Sequence, residues 1–508
     1  MQHDVVIIGC GPVGALAANL LGLNGLTVLV LEKELEHYPL PRAVHLDHEM
    51  MRLFQSAGVI DAVEPDMVAT DGHLHIGADH GVIRYMGTVG RPRPFGWAND
   101  YFFYQPELET HLREGMARLD SVSLQLGATF LGLDQDAGGA TVRYRQDGHE
   151  HAVRTRWVIA CDGARSTVRK AMGVALDDLR FEEPWLVVDA EVEGGVSFPP
   201  ISGVPADADL QRLSVMMCDP ARPATVVPGR RDHRRWEFML LPGEDDAEMM
   251  RPEKVRELVG AWMKDVPHTI LRAATYRFHG LVAERWQMGR AFLAGDAAHQ
   301  TPPFFGQGMC HGLRDVANLA WKMAAIANEG ADEAILDTYQ PERDPHVRAV
   351  IGAAVNAGRY ICELDPAKAA VRDAEIRERA RSGETAHDLI PAIGAGLVMP
   401  SKGAGARFVQ PLLQNGGRLD DLAGGGWRLF VRGSGGGLPA CGVAVIGAAH
   451  LPDGGAVTRW LDDHEADAVL IRPDHYVFGT EKGRGAALLA ARRKMLFGNA
   501  TEHQEQAA

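Results

Sequence analysis

The sequence predicts an α/β protein with more than one domain, and three stretches carry that prediction. Residues 4–33 read as strand, helix and strand, a complete βαβ unit in about 30 residues, which is the size expected of this motif. From about residue 178 to 280, apolar and polar side chains alternate, as they do in a mostly antiparallel sheet. A glycine-rich tract near residue 415 opens a third unit with its own short strand candidates.

Length and composition exclude several classes of protein. A chain of 508 residues is too long for one hydrophobic core, so two or three domains are expected. Its 46% hydrophobic and 23% charged residues are ordinary for a globular enzyme and exclude a disordered chain. The net charge of −15 argues against nucleic acid as a partner, because nucleic-acid binding selects for basic surfaces.

The cysteines and the N-terminal stretch indicate a cytoplasmic protein. Six cysteines are scattered without a CxxC pair or metal-ligand spacing, which is typical of reduced thiols, and no metal is expected. "MQHDVVIIGC" has no basic region and no small-residue cleavage site, so a signal peptide is not predicted. The apolar stretch from Val5 to Leu31 is broken by glycines and Pro12, which favours strand–helix–strand over a membrane span.

The remaining elements follow from local patterns. "RAVHLDHEMMRLFQSAGV" predicts a helix with an apolar face, and residues 72 to 100 predict loops and edge strands. "QPELETHLREGMARL" is typical of an amphipathic helix, and "WVIACDGARSTVRKAMG" of strand, turn and helix. Further helices are expected to about residue 385, followed by the strand candidates "WRLFVRG", "GVAVIG" and "ADAVLIRP".

The strongest binding signal is "GCGPVG", in which Gly9, Gly11 and Gly14 form a GxGxxG motif between a strand and a helix. The first glycine permits a tight turn, the second lets the backbone approach a pyrophosphate, and the third allows close helix–strand packing. Glu32, at the end of the next strand, is positioned to bind a ribose hydroxyl and would repel a 2′-phosphate. Together these features predict a Rossmann-type dinucleotide site, but they do not decide between FAD and NAD.

Three further features decide that question. Arg42 is a cation that could reach the pyrophosphate, "ACDGARSTVR" carries Asp162 and Gly163 after a strand, and "GRAFLAGDAAHQTPPFFGQGMC" carries Gly295 and Asp296. With its N-terminal GxGxxG, middle DG and downstream GD motifs in this order, the chain resembles the class A flavoprotein aromatic hydroxylases over about residues 3 to 350.

That resemblance implies roles for individual residues. Asp296 would bond the ribityl chain of FAD, Pro302 and Pro303 would lie beside the isoalloxazine ring, and a helix beginning near Gly308 would direct its N–H groups at the flavin N1–O2 edge. Cys310 departs from the asparagine common in related enzymes, which is harmless if only the backbone matters there. The full set of expected cofactor-binding residues is Gly9, Gly11, Pro12, Val13, Gly14, Glu32, Lys33, Arg42, Gln105, Asp162, Gly295, Asp296, Pro303, Gly308, Met309 and Cys310.

The resemblance also implies the reaction. Hydride would pass from a transient NADPH or NADH to FAD, O₂ would be captured as a C4a-hydroperoxide, and oxygen would be transferred to an electron-rich ring. "FEEPWLVVDAEV" and "GQGMCHGLRDVANLAWKM" are most similar to the 3-(3-hydroxyphenyl)propionate hydroxylases, so ortho-hydroxylation of a phenolic acid in aromatic catabolism is expected. Hydroxylation or Baeyer–Villiger oxidation of a polyketide or antibiotic stays an alternative, as does a flavin reductase or dehydrogenase that inserts no oxygen.

Catalytic side chains are not identified by the sequence, because the flavin itself is the reactive centre. His299, Pro303 and Tyr104 are weak candidates, and a histidine held under the flavin loop by hydrogen bonds is the favoured reading of His299. Tyr101 could also lie near the ring. Arg180, Arg212 and Arg222 could meet a substrate carboxylate, although solvated surface positions are favoured for each.

The expected architecture is a Rossmann-type FAD-binding domain interleaved with a mostly antiparallel substrate domain, plus a thioredoxin-like C-terminal domain that lacks CxxC. A structural or oligomerisation role is favoured for that last domain, and the family habit implies a homodimer. The predicted boundaries are 1–75, 105–177 and 281–385 for the FAD-binding parts, 76–104 and 178–280 for the substrate domain, and 386–508 for the C-terminal domain.

Overall fold

A computed structural model describes residues 3–36, 39–263, 266–382, 390–433 and 442–498. The first third of the chain forms β1 (His3–Ile8), α1 (Pro12–Leu23), β2 (Val28–Glu32), β3 (His45–Asp47), α2 (His48–Ser56), α3 (Ile60–Val63), β4 (Val68–Ala69), β5 (Gly72–Ile76), β6 (Val82–Gly87), β7 (Asp100–Phe102) and α4 (Gln105–Ala117).

The middle of the chain is dominated by strands. It forms β8 (Val122–Leu126), β9 (Thr129–Asp136), β10 (Gly139–Gln146), β11 (His149–Ala160), α5 (Thr167–Ala171), β12 (Leu176–Val192), β13 (Leu213–Met217), β14 (Ala224–Pro228), β15 (His233–Met239), α6 (Asp246–Met249), α7 (Pro252–Met263) and β16 (His268–Ala283).

The last part returns to helices and then to a small sheet. It forms β17 (Gln287–Met288), β18 (Ala291–Leu293), β19 (His299–Gln300), α8 (Gly308–Ala324), α9 (Tyr339–Ile361), α10 (Pro366–Arg381), α11 (Leu419–Ala423), β20 (Trp427–Val431), β21 (Val443–Gly447), α12 (Ala456–Asp463), β22 (Ala468–Ile471), β23 (Val477–Glu481) and α13 (Ala486–Phe497).

The first sheet contains the predicted βαβ unit. Its strand order is β17-β18-β11-β1-β2-β8, and β1 runs parallel to both β2 and β11, with Val6 opposite Leu29 and Val158. The strands β1 and β2 are almost wholly buried and apolar, as expected of parallel strands covered on both faces. Helix α1 contacts β1 and β2 of this sheet as well as helices α4 and α8, so these elements hold the glycine turn before α1 in place.

The second sheet is the antiparallel layer predicted for residues 178–280. Its order is β19-β16-β12-β15-β14-β13-β5-β6, and only the contact between β13 and β5 is parallel. Because β5 begins at Gly72, the chain enters this sheet slightly before residue 76, where the substrate segment was predicted to begin. A three-stranded sheet, β3-β7-β4, is formed within residues 45–102 and carries residues of the site described below.

The helix predicted across residues 42–59 is shorter than expected. His45–Asp47 forms strand β3, with His45 opposite Phe102, and helix α2 begins only at His48. The carboxylate of Asp47 accepts a hydrogen bond from the backbone N–H of Glu49, which caps the helix at this point. The apolar face that predicted the helix is present, with Met50, Leu53 and Phe54 buried, but the cap fixes its start later.

The C-terminal unit is a four-stranded sheet in the order β21-β20-β22-β23. Strands β20 and β21 are parallel, and the other two contacts are antiparallel. Among the described residues, no helix combines the length and the apolar character that a bilayer crossing requires.

Candidate functional site

In the glycine turn after β1, an added side chain would find open space at Gly11 but would overlap other backbone atoms at Gly9 and Gly14. Gly9 has φ of +97°, its N–H bonds the carbonyl of Leu31 at 2.8 Å, and a Cβ there would lie 2.5 Å from the carbonyl oxygen of Cys161. A Cβ on Gly14 would overlap the carbonyl oxygen of Gly9. At Gly11, by contrast, no atom of the described ranges lies within 4 Å of the Cβ position, so a ligand can approach the backbone there.

Helix α1 begins at this open position without a side-chain cap. Gly11 is its N-cap residue and Pro12 its first residue, and among the described residues no side-chain cap is present. Such a terminus offers unpaired donors and the positive end of the helix dipole to an anion.

Glu32 lies at the end of β2 and supports the turn itself. It is 9% exposed, and its carboxylate accepts hydrogen bonds from the N–H groups of Cys10 at 2.7 Å and Glu34 at 2.9 Å. Its neighbour Lys33 is exposed and pairs with Glu34 at 3.4 Å. The carboxylate of Glu32 is therefore held beside the glycine turn, at the position from which a ribose contact is predicted.

Gln105, the first residue of α4, fixes the loop that carries Arg42. Its carbonyl oxygen accepts hydrogen bonds from the N–H groups of Arg42 at 3.1 Å and Ala43 at 2.7 Å, and its amide donates to Glu109 at 2.7 Å. Arg42, Gln105 and Pro12 all line one cavity, so the loop presents its cation towards the same space as the glycine turn.

Asp162 acts as a helix cap in this structure. Its carboxylate accepts hydrogen bonds from the N–H groups of Thr167 at 2.7 Å and Val168 at 3.1 Å at the start of α5. The neighbouring residues Cys161 and Gly163 line the cavity instead. The DG motif therefore contributes backbone to the cavity wall and uses its carboxylate to order the turn.

The GD motif brings a carboxylate to the same cavity. Gly295 has φ of +60°, and Asp296 is exposed towards the cavity while protein surrounds the carboxyl group on its other sides. Burial raises the pKa of this carboxyl, and the nearby His299 and Arg42 act in the opposite direction. A hydroxyl-rich chain is a suitable neighbour, because it can hydrogen-bond to either form of the acid.

His299 lies behind this loop. It is fully buried, and its Nε2 contacts the carboxylate of Asp315 at 2.7 Å. The same carboxylate accepts hydrogen bonds from Arg343 at 2.9 Å and from the N–H of Gly295 at 3.1 Å. His299 is thus held behind the loop that carries Asp296 by a buried carboxylate, and its role beside a cofactor stays a prediction.

The N-terminus of α8 faces the cavity from the other side of that loop. Pro303 begins a short 3₁₀ turn, Gly306 has φ of +61°, and Gly308 and Met309 line the cavity. Within the described part of the chain no side chain caps the helix, so its first N–H groups are available to an anionic ligand edge. Cys310 is different: its buried Sγ lies 3.8 Å from the carbonyl oxygen of Gly306, and burial raises the pKa of the thiol.

The antiparallel sheet supplies the opposite wall, and the whole cavity measures about 370 Å³. The wall is largely apolar but contains polar groups on neighbouring strands. The polar or charged wall residues are His73 on β5, Ser214 on β13, Thr225 on β14, Arg235 and Glu237 on β15, and Arg272 and Tyr276 on β16.

Asp189 organises the charged part of this wall. The buried carboxylate contacts Arg235 at 2.8 Å, Arg272 at 3.1 Å and His233 at 3.1 Å. Burial alone would raise the pKa of Asp189, but His233 and Arg235 lower it to about 2. Burial raises the pKa of Glu237, so the pKa values of these two carboxyls are shifted in opposite directions.

Several predicted candidates lie away from the cavity. The Tyr101 hydroxyl accepts a hydrogen bond from the N–H of Ala98 in the core, and the Tyr104 hydroxyl donates to the carbonyl of Pro39 at 3.2 Å. The three arginines suggested for a substrate carboxylate lie outside it too: Arg180 is exposed, Arg212 pairs with Asp71, and Arg222 pairs with Glu244.

Sequence reasoning missed the residues of the sheet wall. Arg235 and Glu237 are two residues apart in "RRWEFML", so a strand prediction already places both side chains on one face. That signal was available, but nothing in the sequence shows that the face meets a cofactor loop more than 60 residues further on. The helix predicted from the sequence included His45, so the pairing of this residue with β7 was not predicted.

These features fit a dinucleotide. One cavity is bordered by the open space at Gly11, by the N-termini of α1 and α8 and by the Asp296 carboxylate. The same cavity extends to the antiparallel sheet, whose largely apolar wall suits a small molecule. The fold and the site thus fit the class of nucleotide-cofactor enzymes, with space for a second ligand under the antiparallel sheet.

Comparisons with known proteins identify the family. A family profile described as "FAD binding domain" matches residues 2–354. A probable NADH-specific resorcinol 4-hydroxylase of Rhodococcus jostii is 35% identical, covering 97% of this chain and 94% of that one. A 3-(3-hydroxy-phenyl)propionate/3-hydroxycinnamic acid hydroxylase of Burkholderia cenocepacia is 34% identical over 96% of both chains.

Solved structures agree on the fold. The flavin-dependent monooxygenase PieE, in complex with FAD and substrate, has a TM-score of 0.80 at 24% identity and covers 97% of this chain and 99% of that chain. Aklavinone-11 hydroxylase, with FAD and aklavinone, has a TM-score of 0.74 at 22% identity, covering 97% and 99% of the two chains. The chain belongs to the FAD-binding family of flavin-dependent aromatic hydroxylases, and it is an FAD-dependent aromatic-ring monooxygenase that uses NAD(P)H and O₂.

Proposed function

We propose that this monooxygenase hydroxylates a small phenolic acid of the 3-(3-hydroxyphenyl)propionate type. The observation that carries the proposal is Arg272, which lines the cavity yet is only 9% exposed. One of its terminal nitrogens contacts Asp189, while its Nε and its other terminal nitrogen have no hydrogen-bond partner among the described residues. Unpaired buried donors on a guanidinium are costly, and a ligand carboxylate would satisfy them.

The cofactor assignments are part of the same proposal. The α1 N-terminus and Arg42 would hold the FAD pyrophosphate, Glu32 a ribose, Asp296 the ribityl chain, and the first turn of α8 the N1–O2 edge. When bound, FAD supplies electron transfer from the nicotinamide and the activation of O₂. The protein orients the ring of the substrate, excludes water and places donors beside developing negative charge.

A neutral substrate of the resorcinol type is the second candidate, and Glu237 favours it. This carboxyl also lines the cavity, and burial raises its pKa. A protonated carboxyl can hydrogen-bond to a ring hydroxyl, whereas an ionised one would repel a substrate carboxylate. The relative from Rhodococcus jostii is named for resorcinol and for NADH, so NADH is the first reductant to test.

The C-terminal unit is proposed to have a thioredoxin-like fold without redox activity. The strand order β21-β20-β22-β23, with one parallel and two antiparallel contacts, supports that fold. The unit contains a single cysteine, Cys441, so it lacks the dithiol of a CxxC motif; that residue lies outside the described ranges. We also propose a homodimer in the cytoplasm, which light scattering would test for its oligomeric state.

Anaerobic flavin reduction tests the substrate proposal. Reduction by NADH and NADPH is followed by stopped-flow absorbance with no ligand, with 3-(3-hydroxyphenyl)propionate and with resorcinol. Marked acceleration by the phenolic acid supports the proposal, whereas acceleration by resorcinol alone supports the second candidate. Equal rates with every phenol contradict both.

Two variants sharpen this test. Arg272→Met removes the proposed carboxylate donor, and we expect it to weaken binding of the acid by roughly 10- to 100-fold, as for a lost hydrogen bond to a charged group of about 1.5–3 kcal/mol. Binding of resorcinol should change little. Glu237→Gln should show the reverse selectivity, and identical effects of both variants on both ligands would contradict the two assignments.

A further inference from the structure

Three side chains of metal-ligating type meet at one place beside the cavity. His45 lies on β3, His73 on β5 and Asp100 on β7, so each is held by a strand of a sheet. One polar atom of each residue lies within 4.8 Å of the corresponding atoms of the other two. The sequence predicts no metal here, because the three residues are spread over residues 45–100 and share no motif.

The distances in this cluster suit a small divalent ion. Nε2 of His45 lies 3.2 Å from a carboxylate oxygen of Asp100, and the ring centroids of His45 and His73 are 5.4 Å apart. In a tetrahedral zinc site with bonds of about 2.0–2.1 Å, neighbouring ligand atoms are roughly 3.4 Å apart. The widest separation in the cluster would therefore have to shrink by at most about 1.4 Å, which rotation of the side chains can supply.

The chemistry of the three groups suits such an ion as well. His45 is 6% exposed, and neither of its ring nitrogens has a hydrogen-bond partner of good geometry among the described residues. Burial lowers the pKa of His73 to about 4, which leaves a lone pair on its imidazole near pH 7. Burial alone would raise the pKa of Asp100, but His45 lowers it below its ordinary value. Two imidazoles and an ionised carboxylate form a ligand set typical of Zn²⁺ and its neighbours among the transition metals.

The surroundings add a support on one side and an opening on the other. Nδ1 of His45 lies against the backbone of Gly306, because a Cβ on that residue would overlap it. Backbone beside the second nitrogen is the usual support of a ligating histidine. His45 and His73 both line the cavity, so the coordination position that three protein ligands leave open faces that space.

We propose that His45, His73 and Asp100 bind a divalent first-row transition ion such as Zn²⁺, and that the bound ion reversibly inhibits the enzyme. The ion exchanges three of its water ligands for the three side chains, any proton on His45 passes to solvent, and no electrons are transferred. With water or an anion as its fourth ligand, the ion occupies the part of the wall that a phenolic ring would contact. This inhibition, unlike the binding itself, rests on the proposed phenolic substrate.

Metal titration of the FAD-loaded protein tests the site without any substrate. After treatment with a chelator, binding of Zn²⁺ is measured by calorimetry, and Co²⁺ is added to a separate sample because its visible absorption reports the coordination geometry. We expect one tight site per chain with a tetrahedral Co²⁺ spectrum. His73→Asn and Asp100→Asn each remove a ligand, so each should weaken binding by more than the roughly 10- to 100-fold that loss of an outer-shell partner causes.

His80→Asn is the matched control, because His80 is a part-exposed histidine in the turn between β5 and β6 and lies 3.3 Å from the carboxylate of Asp219. This variant should bind Zn²⁺ as the wild type does. Absence of a tight site would overturn the proposal. Wild-type affinity in both His73→Asn and Asp100→Asn, in proteins that retain FAD and the wild-type circular dichroism spectrum, would overturn it too.

Product formation in the wild type tests the inhibition. Hydroxylation should slow over the same range of Zn²⁺ concentration in which the ion binds, and it should recover when a chelator is added. Full activity with the site occupied would place the ion away from the substrate and contradict the proposal. If no phenol is hydroxylated even without Zn²⁺, the proposed function fails, whereas the titration still decides whether the metal site exists.

Discussion

Gly11 and Gly14 lie three residues apart on one turn, yet a methyl group should have different consequences at the two positions. A Cβ on Gly14 would overlap the carbonyl oxygen of Gly9, whereas a Cβ on Gly11 would meet no protein atom within 4 Å. Protein packing therefore explains Gly14, and we expect the approach of a ligand to explain Gly11.

Gly14→Ala should destabilise the protein by roughly 1–3 kcal/mol, the range for overpacking a tight site, with or without FAD. Gly11→Ala should leave the melting temperature of the FAD-free protein unchanged and weaken FAD binding. Thermal unfolding of the FAD-free proteins and fluorescence titration with FAD would check both variants. A Gly11→Ala protein that binds FAD as the wild type does would contradict this account of the turn.

Cys310 should be chemically silent in the folded protein. Its Sγ is buried beside the carbonyl of Gly306, and burial raises the pKa of the thiol, so little reactive thiolate forms. Alkylation of the native holoenzyme at pH 8, followed by peptide mass spectrometry, should leave Cys310 unmodified, whereas denatured protein should react. Rapid native labelling, or loss of flavin reduction in Cys310→Ala, would show that the thiol itself matters.

At the scale of elements, a buried ion network joins α8 and α9 to the C-terminal unit. The fully buried carboxylate of Glu342 on α9 contacts Lys322 of α8 at 3.1 Å and Arg472 of the C-terminal unit at 2.7 Å. It also accepts hydrogen bonds from Asn318 and from the N–H of Leu397. The network therefore couples the position of α8, and hence its N-terminus, to a part of the chain far along the sequence.

Glu342 should make folding sensitive to acid. Burial alone would raise the pKa of this carboxyl, but Arg472 and Lys322 lower it from 4.5 to about 2. Because the folded-state value is depressed, its contribution to stability is complete above about pH 4.5 and is lost as pH falls towards 2. Glu342→Gln should cost about 3–5 kcal/mol at pH 7, since it removes the buried carboxylate that Lys322 and Arg472 share, and should flatten the dependence below pH 4.5.

Denaturant unfolding across this pH range checks the prediction. Glu465→Gln is a suitable control, because Glu465 is exposed and pairs with Lys402 on the surface. An exposed pair contributes little to stability, so this variant should unfold as the wild type does. An equally stable Glu342→Gln protein would show that the network does not join the two parts of the chain.

Elements with strong local signals were predictable, and those fixed by distant partners were not. The βαβ unit, the α4 helix and the strands β20, β21 and β22 follow from apolar periodicity and glycine stops in their own segments. Strand β3 exists because His45 and Asp47 pair with residues of β7 about 55 positions later, which no local pattern encodes. For the same reason, the residues of the antiparallel sheet that line the cavity could not be predicted from the sequence. The turns of the predicted cofactor site, in contrast, carry short sequence motifs.

At the scale of the whole molecule, the interleaving of the two sheets explains how one cavity can hold both a cofactor and a substrate. The glycine turn, the Arg42 loop and the N-terminus of α8 belong to separate stretches, and the antiparallel sheet closes over all of them. Neither sheet alone encloses the cavity, so the site forms only when both are folded. The C-terminal unit is joined to this body by buried ion pairs, including Arg52 with Asp420 at 2.6 Å.

The most direct test of the central claim is the fate of oxygen during turnover. The holoenzyme, NADH and 3-(3-hydroxyphenyl)propionate are incubated under ¹⁸O₂, and the products are identified by mass spectrometry and NMR. The account predicts a ring-hydroxylated product that carries a single ¹⁸O atom, formed in step with NADH oxidation. Oxidation of NADH that yields only hydrogen peroxide, with this acid, resorcinol and other small phenols all recovered unchanged, would contradict it.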